Sequence, residues 1–450
     1  MTKTCSMAVT LGDWVASNSR PQSDSARKRA LAALADGIAC IFAGSRDSAT
    51  ETVLQSTLRS HGRGDCLVLG HKETLPPAGA ALVNGTAAHA LDFDDNFLPG
   101  LTHATAVLVP ALLAAGQATD SSGLQILEAY MVGLELHARI GALVNPNHYE
   151  AGWHATATTG TIGTAGAVAS LIGLSAGQIT TAMSIAFSLA SGSKIQFGTT
   201  TKPTHAGFAA HNAVQAAFLA RHGLEAQTNF LTGQWGFRDL FGAGASTPPE
   251  EALAGLGATW AIESHGLMAK RFPCCGSAHK ALDAVEMLKQ EHGISLDNIE
   301  KVTAYLPTPL HHNLRFDTPK TASEARFSFS YPAVRLLAHG YLSLGHFTDE
   351  AVQEEAIRQH LGKFVREDCQ FTPKTADYPV RATAILKNGA EVTTEIRHVR
   401  GSIDSPLSDA ETHKKFTDCL AWSGTSGNET LYERIQSFDR HTNVSSLFNP

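Results

Sequence analysis

The chain has 450 residues, of which 43% are hydrophobic and 17% are charged, and its net charge is -7. This apolar content excludes disorder for most of the chain, and the low charged fraction, against roughly 25% in average soluble proteins, predicts surface hidden in a large core or in a homo-oligomer interface. A negative charge without a dense run of lysine and arginine excludes nucleic acid as a partner, and the lack of any apolar stretch of roughly 20 residues excludes a membrane span.

The first residues, Met1 to Trp14, contain no apolar block of the kind found in secretory signals, which predicts a cytoplasmic location. The 7 cysteines have neither a CxxC pair nor zinc-finger spacing. Reduced thiols are therefore expected.

Helical periodicity dominates from about residue 21 to residue 245. In the first helix Leu31, Leu34 and Ile38 are spaced by three or four, Pro21 precedes the helix and Gly44 ends it. The same criteria predict further helices at Ala78 to Leu91, Ala104 to Gln117, Gly123 to Val144, Thr158 to Leu171, Ser175 to Ser191 and Thr204 to His222.

The pattern changes near residue 265. Asn298 to Leu306 alternates as a strand does, and alternating segments on both sides of Asn388-Gly389 predict a β-hairpin. Helices are predicted between these strands, at Ala278 to Glu291, Ser328 to His339 and Asp349 to His360. The fold class is thus mainly α, with an all-helical domain of residues 1–267 and 399–450 and an inserted α+β domain of residues 268–398.

The C-terminal part of the chain returns to helical character. Ser408 and Glu411 have the spacing of a capping box and begin a helix that runs to Trp422. We expect this helix to pack back on the first domain.

The densest polar cluster contains His89, Asp92, Asp94, Asp95 and Asn96, and it is followed by His103. Carboxylates so close repel one another and raise at least one pKa unless a cation compensates, which suits a general acid or a divalent-ion site. A loop whose acids cap a helix is the structural alternative. No EF-hand spacing and no second acidic cluster are present, so no metal is predicted.

Two further clusters lie downstream in the helical half. The first contains Tyr149, Glu150 and His154, which suit acid and base chemistry or simply a loop that packs its aromatic rings on the core. The second places Lys202 and His205 around Pro203 at a predicted helix start, where a cation and the helix dipole together attract a carboxylate. A solvated surface lysine is the alternative there.

A fourth cluster lies where the helical domain passes into the α+β domain. It contains Lys270, Arg271, Cys274, Cys275 and His279. Ligand sites are common in such clefts, whereas adjacent cysteines are more often packing residues than catalysts. The hallmark motifs of serine hydrolases, P-loop proteins, dinucleotide-binding folds and zincins do not occur.

At these clusters the sequence resembles the MmgE/PrpD family over essentially the whole chain. The stretches that carry the resemblance are NGTAAHALDFDD, THATAVLVPALLA, GWHATATTGTIGTAGA, TKPTHAGFAAHN, KRFPCCGSAH and EARFSFSYPAV. The resemblance implies a homodimer in which the α+β domain acts as a lid, no cofactor, and small di- or tricarboxylate substrates. It also implies an active site between the domains, lined by Asp92, Asn96, His103, His154, Lys202, Lys270 and Tyr331.

The family contains 2-methylcitrate dehydratase, cis-aconitate decarboxylase and iminodisuccinate epimerase, and the overall sequence is most similar to the epimerase. The resemblance therefore implies an isomerase that removes a proton next to a carboxylate of an iminodisuccinate-like substrate and returns it on the opposite face. Asn96 stands where decarboxylase members have a short hydroxyl residue, and one extra residue separates the acidic run from His103. Dehydratase or decarboxylase activity, and an inactive polycarboxylate-binding protein, are the alternatives.

For the epimerase we predict Lys270 on one face of the substrate and Tyr149 or His154 on the other. Asp92 would orient His103 or a lysine. The residues predicted to bind the substrate are Asn96, Lys202, His205, Arg271 and Tyr331, since cations and hydrogen-bond donors hold carboxylates and stabilise enolate-like charge.

Overall fold

The computed structural model describes residues 6–17, 20–21, 23–371, 378–424 and 430–448. Within these ranges six cysteines form no disulfide, and five of them are buried. Cys5 lies outside the described residues. No described helix combines the length and the hydrophobicity that crossing a bilayer requires.

Helices dominate the described residues, which confirms the mainly α prediction. The longer helices are Met7–Ala16, Asp24–Gly44, Ser48–His61, Pro77–Ala90, Ala104–Ala118, Gly123–Val144, Thr159–Leu171, Ala176–Leu189, Thr201–Arg221, His279–His292, Ser330–His339 and Asp409–Ser423. Short α-helices occur at Asn147–Glu150, Phe237–Phe241, Pro249–Ala252, Ala261–Ser264, Thr308–Asn313, Ala322–Ala325, Asp349–Val352, Glu355–Arg358 and Leu431–Gln436. Single 3-10 turns occur at Lys194–Gln196, Gly276–Ala278, Leu344–Phe347, Leu361–Lys363, Phe438–Arg440 and Val444–Leu447.

Two helices pack unusually closely at the centre of the helical region, Pro77–Ala90 and Thr201–Arg221. A Cβ atom on Gly207 would lie 2.4 Å from the carbonyl oxygen of Leu82, so only glycine allows this approach. The contact brings the end of one helix, just before the acidic run, beside the beginning of the other, which carries Lys202.

The strands form two small sheets. The first pairs β1 (Cys66–Leu67) with β2 (Thr74–Leu75), and the second has the order β4-β3-β5-β6, with β3 Ile299–Leu306, β4 Phe364–Asp368, β5 Val380–Leu386 and β6 Glu391–Ile396. β3 runs parallel to β4 and antiparallel to β5. The predicted hairpin is confirmed: β5 and β6 pair from Val380 with Ile396 to Ile385 with Glu391, and Gly389 has φ 83° in the turn between them.

The buried apolar residues form two clusters. One consists of helical residues between Met7 and Ile262 together with Leu344 and C-terminal residues from Phe416 to Leu447, and the other consists of Phe197 and residues between Phe272 and Ile396. The domain boundaries at 267/268 and 398/399 stay a prediction.

The C-terminal helix Asp409–Ser423 contacts the helical region directly, as expected. Its capping box is present, because Ser408 accepts from the Glu411 N–H and the Glu411 side chain accepts from the Ser408 N–H. Lys415 Nζ lies 2.6 Å from Asp36 Oδ1 and donates to the carbonyl oxygen of Phe93 at 2.7 Å. The C-terminal helix thereby contacts the backbone of the acidic run, residues 92–95.

Candidate active site

The Asp92 carboxylate lies between two buried lysines. Lys202 Nζ donates to Asp92 Oδ2 at 2.7 Å, and Lys270 Nζ donates both to Asp92 Oδ1 and, at 2.8 Å, to the Asp92 carbonyl oxygen. Burial alone would raise the pKa of Asp92, but the two ammonium groups outweigh burial and hold that pKa well below its usual range. Asp92 is therefore ionised, and its φ of 52° shows that the backbone adopts a left-handed conformation to place it.

Asp94 binds two histidines. Its Oδ2 accepts from His89 Nδ1 at 2.8 Å and lies 3.2 Å from His103 Nδ1, which also donates to the Asp95 carbonyl oxygen at 2.9 Å. Burial lowers the pKa of His89 to about 3 and also lowers the pKa of His103, so both rings are neutral near pH 7. With Nδ1 as the donor, Nε2 of each ring is a lone-pair acceptor.

Asp95 behaves differently from its two neighbours, although all three are buried. Its Oδ2 accepts from the Thr105 hydroxyl, which is also 2.7 Å from the Tyr130 hydroxyl. Burial raises the pKa of Asp95 to about 7. The crowding expected from the sequence is thus relieved by cations at Asp92, by histidines at Asp94 and by protonation at Asp95.

His154 and His205 face each other, with 3.0 Å between their Nδ1 atoms. Burial and the nearby His205 and Lys202 hold the pKa of His154 well below its ordinary value, and its Nε2 has no hydrogen-bond partner within the described parts of the chain. His89, His103 and His154 offer ligand atoms within 4.8 Å of one another, as do Asp92, Asp94 and His103. Two of these rings, His89 and His103, contact the Asp94 carboxylate through Nδ1, an arrangement that is common in histidine ligands of metal ions, although no metal was predicted.

A cavity of about 620 Å³ lies beside this cluster and is lined by Asn96, His103, Tyr149, His154 and Lys202 among others. The Tyr149 hydroxyl accepts from Asn313 Nδ2 at 3.0 Å, and burial raises its pKa, so it keeps its own proton. Five predicted site residues therefore share one cavity.

Lys202 has an apolar setting at the cavity wall. Its Nζ lies 5.5 Å from the ring centroid of Phe197 and 5.1 Å from that of Phe327. Asn96 is held by a pair of backbone hydrogen bonds with Met268, at 3.0 and 2.9 Å. These contacts hold the Lys202 ammonium group and the backbone of Asn96 in place before any substrate arrives.

Five predicted residues contact their own partners and do not line this cavity, one of them being Asp92 between its two lysines. Lys270 lies behind Asp92, and His205 lies behind His154. Arg271 makes two hydrogen bonds to Glu286 at 2.6 and 2.7 Å, and the Tyr331 hydroxyl donates to the carbonyl oxygen of His346. The substrate-binding roles of Arg271 and Tyr331 and the proton-transfer role of Lys270 stay predictions, and in this structure all three side chains are engaged by protein partners.

Sequence reasoning missed two residues that act near Tyr149. Asn313 comes from the helix Thr308–Asn313 and holds the Tyr149 hydroxyl. Lys194 Nζ lies 3.8 Å from the centroid of the Tyr149 ring. Asn313 follows His311 and His312, a short polar stretch that the sequence analysis did not single out, whereas Lys194 has no comparable cluster around it.

The comparisons with known proteins agree with the resemblance. The family model for the MmgE/PrpD N-terminal domain matches residues 9–250, and that for the C-terminal domain matches residues 272–439. A cis-aconitate decarboxylase from Aspergillus terreus is 32% identical over 446 residues, which cover 93% of this chain and 90% of the relative. The cis-aconitate decarboxylase from Homo sapiens is 30% identical over 388 residues, covering 83% of this chain and 79% of the relative.

A third relative is the cis-aconitate decarboxylase-like protein oryM from Aspergillus oryzae, which is 28% identical over 434 residues and covers 92% of this chain and 88% of the relative. The activities named for these relatives favour the lyase alternative over the epimerase that the sequence resemblance implied.

Proposed function

Because this chain belongs to the MmgE/PrpD family, we propose that it is a lyase that decarboxylates a cis-aconitate-like unsaturated polycarboxylate. The names of the relatives support this choice over epimerisation. The observation that carries the proposal is one cavity in which Lys202, His103, His154 and Tyr149 meet. No step below requires a cofactor.

Lys202 is the group best placed to hold a substrate carboxylate. It is buried, bound to Asp92 at 2.7 Å, and lies in the first turn of the helix Thr201–Arg221. The positive end of the helix dipole adds to its attraction for an anion. A fixed cation in an apolar setting also stabilises negative charge that develops on the substrate.

The reaction breaks one carbon–carboxylate bond. The released electron pair stays on the carbon skeleton, where the conjugated carboxylate and Lys202 stabilise it, and CO₂ leaves. One proton must then join a carbon of the product. Tyr149 can deliver it, because its hydroxyl accepts from Asn313 and keeps its own proton for donation, and solvent restores the proton afterwards.

His103 and His154 have a complementary role. Their low pKa values leave both rings neutral near pH 7, so each can accept a hydrogen bond from a protonated group of the substrate or of water. Asp94 fixes the ring of His103 and His205 fixes that of His154. They orient the substrate, while the proton consumed in each turnover comes from Tyr149 and is restored to it by solvent.

The test is NMR spectroscopy of purified protein with cis-aconitate in D₂O. We expect CO₂ release with one deuterium in the product for each turnover. Lys202→Met should lower kcat/KM by about 10²–10³-fold, and Tyr149→Phe should lower kcat by about 10²-fold or more. Arg271→Gln is the matched control, since Arg271 does not line the cavity, and it should leave both constants within about twofold of wild type.

Epimerisation is the second candidate, favoured by Asn96 at a position where decarboxylase members carry a hydroxyl residue. The same experiment with iminodisuccinate decides between them. Deuterium exchange with loss of optical activity, without CO₂ release from cis-aconitate, would replace the lyase proposal with the epimerase. Silence with both substrates would contradict both proposals and favour a polycarboxylate-binding protein.

A further inference from the structure

The cavity is large for the substrate class discussed so far. Its volume of about 620 Å³ falls within the range of roughly 300–1,000 Å³ that is typical of pockets for drug-sized ligands. A six-carbon tricarboxylate is far smaller than such ligands. Once its carboxylates lie against Lys202 and the histidines, much of the cavity stays unfilled.

The remaining wall is built largely from apolar side chains. It includes Leu98, Leu101, Leu267, Met268, Leu310 and Ile403. Leu98 is 41% exposed, so its side chain is accessible to a ligand.

Backbone contacts join this wall to the site residues Asn96 and His103. Phe97 and Thr102 pair through hydrogen bonds of 2.8 and 3.2 Å, so the loop carrying Leu98 and Leu101 begins beside Asn96 and ends beside His103. Asn96 in turn pairs with Met268. These backbone contacts therefore fix the position of the apolar wall relative to Lys202 and His103, which are proposed to bind the carboxylates.

The same wall continues through the segments near residues 266 and 403. Gly266 has φ 60°, and a Cβ atom on it would lie 3.3 Å from Ile403 Cβ, so the two segments are in close contact. At another point of the loop Asn145 Nδ2 donates to the carbonyl oxygen of Gly100 at 3.0 Å. The wall is thus a continuous surface formed by segments that contact one another, rather than a set of isolated side chains.

Several cations that a tricarboxylate site would use are already engaged. Arg271 is bound to Glu286, and Lys270 is bound to Asp92. Lys280 lines the cavity, but its Nζ donates to the Tyr378 carbonyl oxygen at 2.6 Å and lies 3.6 Å from the centroid of the Tyr378 ring. Lys202 also contacts Asp92, and His265, Arg397 and His398 line the cavity as well. The lining therefore suits a ligand that is anionic over one part and apolar where it meets the leucine-rich wall.

We propose that the physiological substrate is a polycarboxylate with an alkyl substituent of several carbons, which lies against the wall of Leu98, Leu101, Leu267, Met268, Leu310 and Ile403. The anionic part of this inference rests on the proposed function, whereas the apolar part rests on the cavity. Each methylene group buried against such a wall improves affinity by up to about fourfold.

The test uses succinate and its 2-methyl, 2-butyl and 2-hexyl derivatives, which have no carbon–carbon double bond and serve as unreactive probes. Calorimetric titration of the full chain should show Kd falling at least tenfold from succinate to 2-butylsuccinate. Ile403→Ser and Leu310→Ser should reduce that ratio to below about threefold. Leu224→Ser is the matched control, because Leu224 is exposed and does not line the cavity, and it should preserve the wild-type ratio.

Equal affinity for all four probes, or weaker binding of the longer ones, would overturn the inference. So would a chain-length effect that Ile403→Ser leaves intact, since the alkyl group would then bind elsewhere. Circular dichroism confirms that each variant is folded before titration. Because the probes do not react, a failure of cis-aconitate decarboxylation would refute the proposed function without changing this result, and the reverse also holds.

Discussion

Replacing Asp92 by asparagine should destabilise the fold as well as impair the site. The change removes the negative charge that lies between Lys202 and Lys270, and it points an amide N–H₂ group at one of the two ammonium groups. All three side chains are buried, so water cannot compensate. Removing one partner of a buried ion pair typically lowers the free energy of unfolding by about 3–5 kcal/mol. We expect a loss in this range from Asp92→Asn at pH 7.

The assay is urea unfolding followed by circular dichroism. Asp95→Asn is the matched control, since Asp95 is equally buried in the same run but has no lysine partner, and it should cost about 1 kcal/mol or less at pH 6. The double variant Asp92→Asn, Lys270→Met should recover part of the loss, because it removes one of the two uncompensated cations. A loss below about 1 kcal/mol for Asp92→Asn, or an equal loss for both single variants, would refute the ion-pair reasoning.

Three further predictions follow from the same contacts. Because the pKa of Asp95 is raised to about 7, its own contribution to stability is complete below about pH 4 and is lost as pH rises to about pH 7. Buried histidines with lowered pKa values, such as His89, contribute with the opposite sign, so the readout is the difference in urea midpoint between wild type and Asp95→Asn, which should shift in favour of the variant as pH rises through that window. Arg271→Gln should lower stability by less than about 1.5 kcal/mol with the urea midpoint as the readout, because its ion pair is partly exposed. Lys415→Met should cost about 3–5 kcal/mol in the same unfolding assay, because it leaves Asp36 buried without its cation, and the double variant with Asp36→Leu should restore most of that loss.

Local signals predicted much of the fold. Gly123–Val144 has the bounds that the periodicity indicated, and the Asn388-Gly389 turn and the Ser408 capping box identified a hairpin and a helix start. These features depend on residues close together in sequence, so a single chain reveals them. β4 was missed because Phe364–Asp368 is short and half charged, and its parallel pairing with β3 depends on contacts more than 60 residues away. The helix predicted over Asp349 to His360 is instead two four-residue helices.

The candidate site shows the same limit. Polar clusters identified Asp92, His103 and His154, because such groups are rarely concentrated in an apolar region without a reason. Their protonation states could not be predicted, since they depend on burial and, for Asp92 and His154, on partners distant in sequence such as Lys270 and His205. Arg271 shows the same limit, because sequence alone could not reveal that this cation beside a predicted cleft is bound to Glu286 in the following helix.

The support that Lys415 gives to the acidic run has a consequence for biosynthesis. Its hydrogen bond to Phe93 spans 322 residues of sequence. At a translation rate of about 5–20 residues per second, roughly 15 to 65 s separate the synthesis of the two partners. During that interval Asp36 and the acidic run lack their contacts with Lys415. The part of the helical core next to them therefore stays exposed to water while the chain is being made. This protein would therefore complete its fold late in synthesis, and its binding site would form only after most of the polypeptide has left the ribosome.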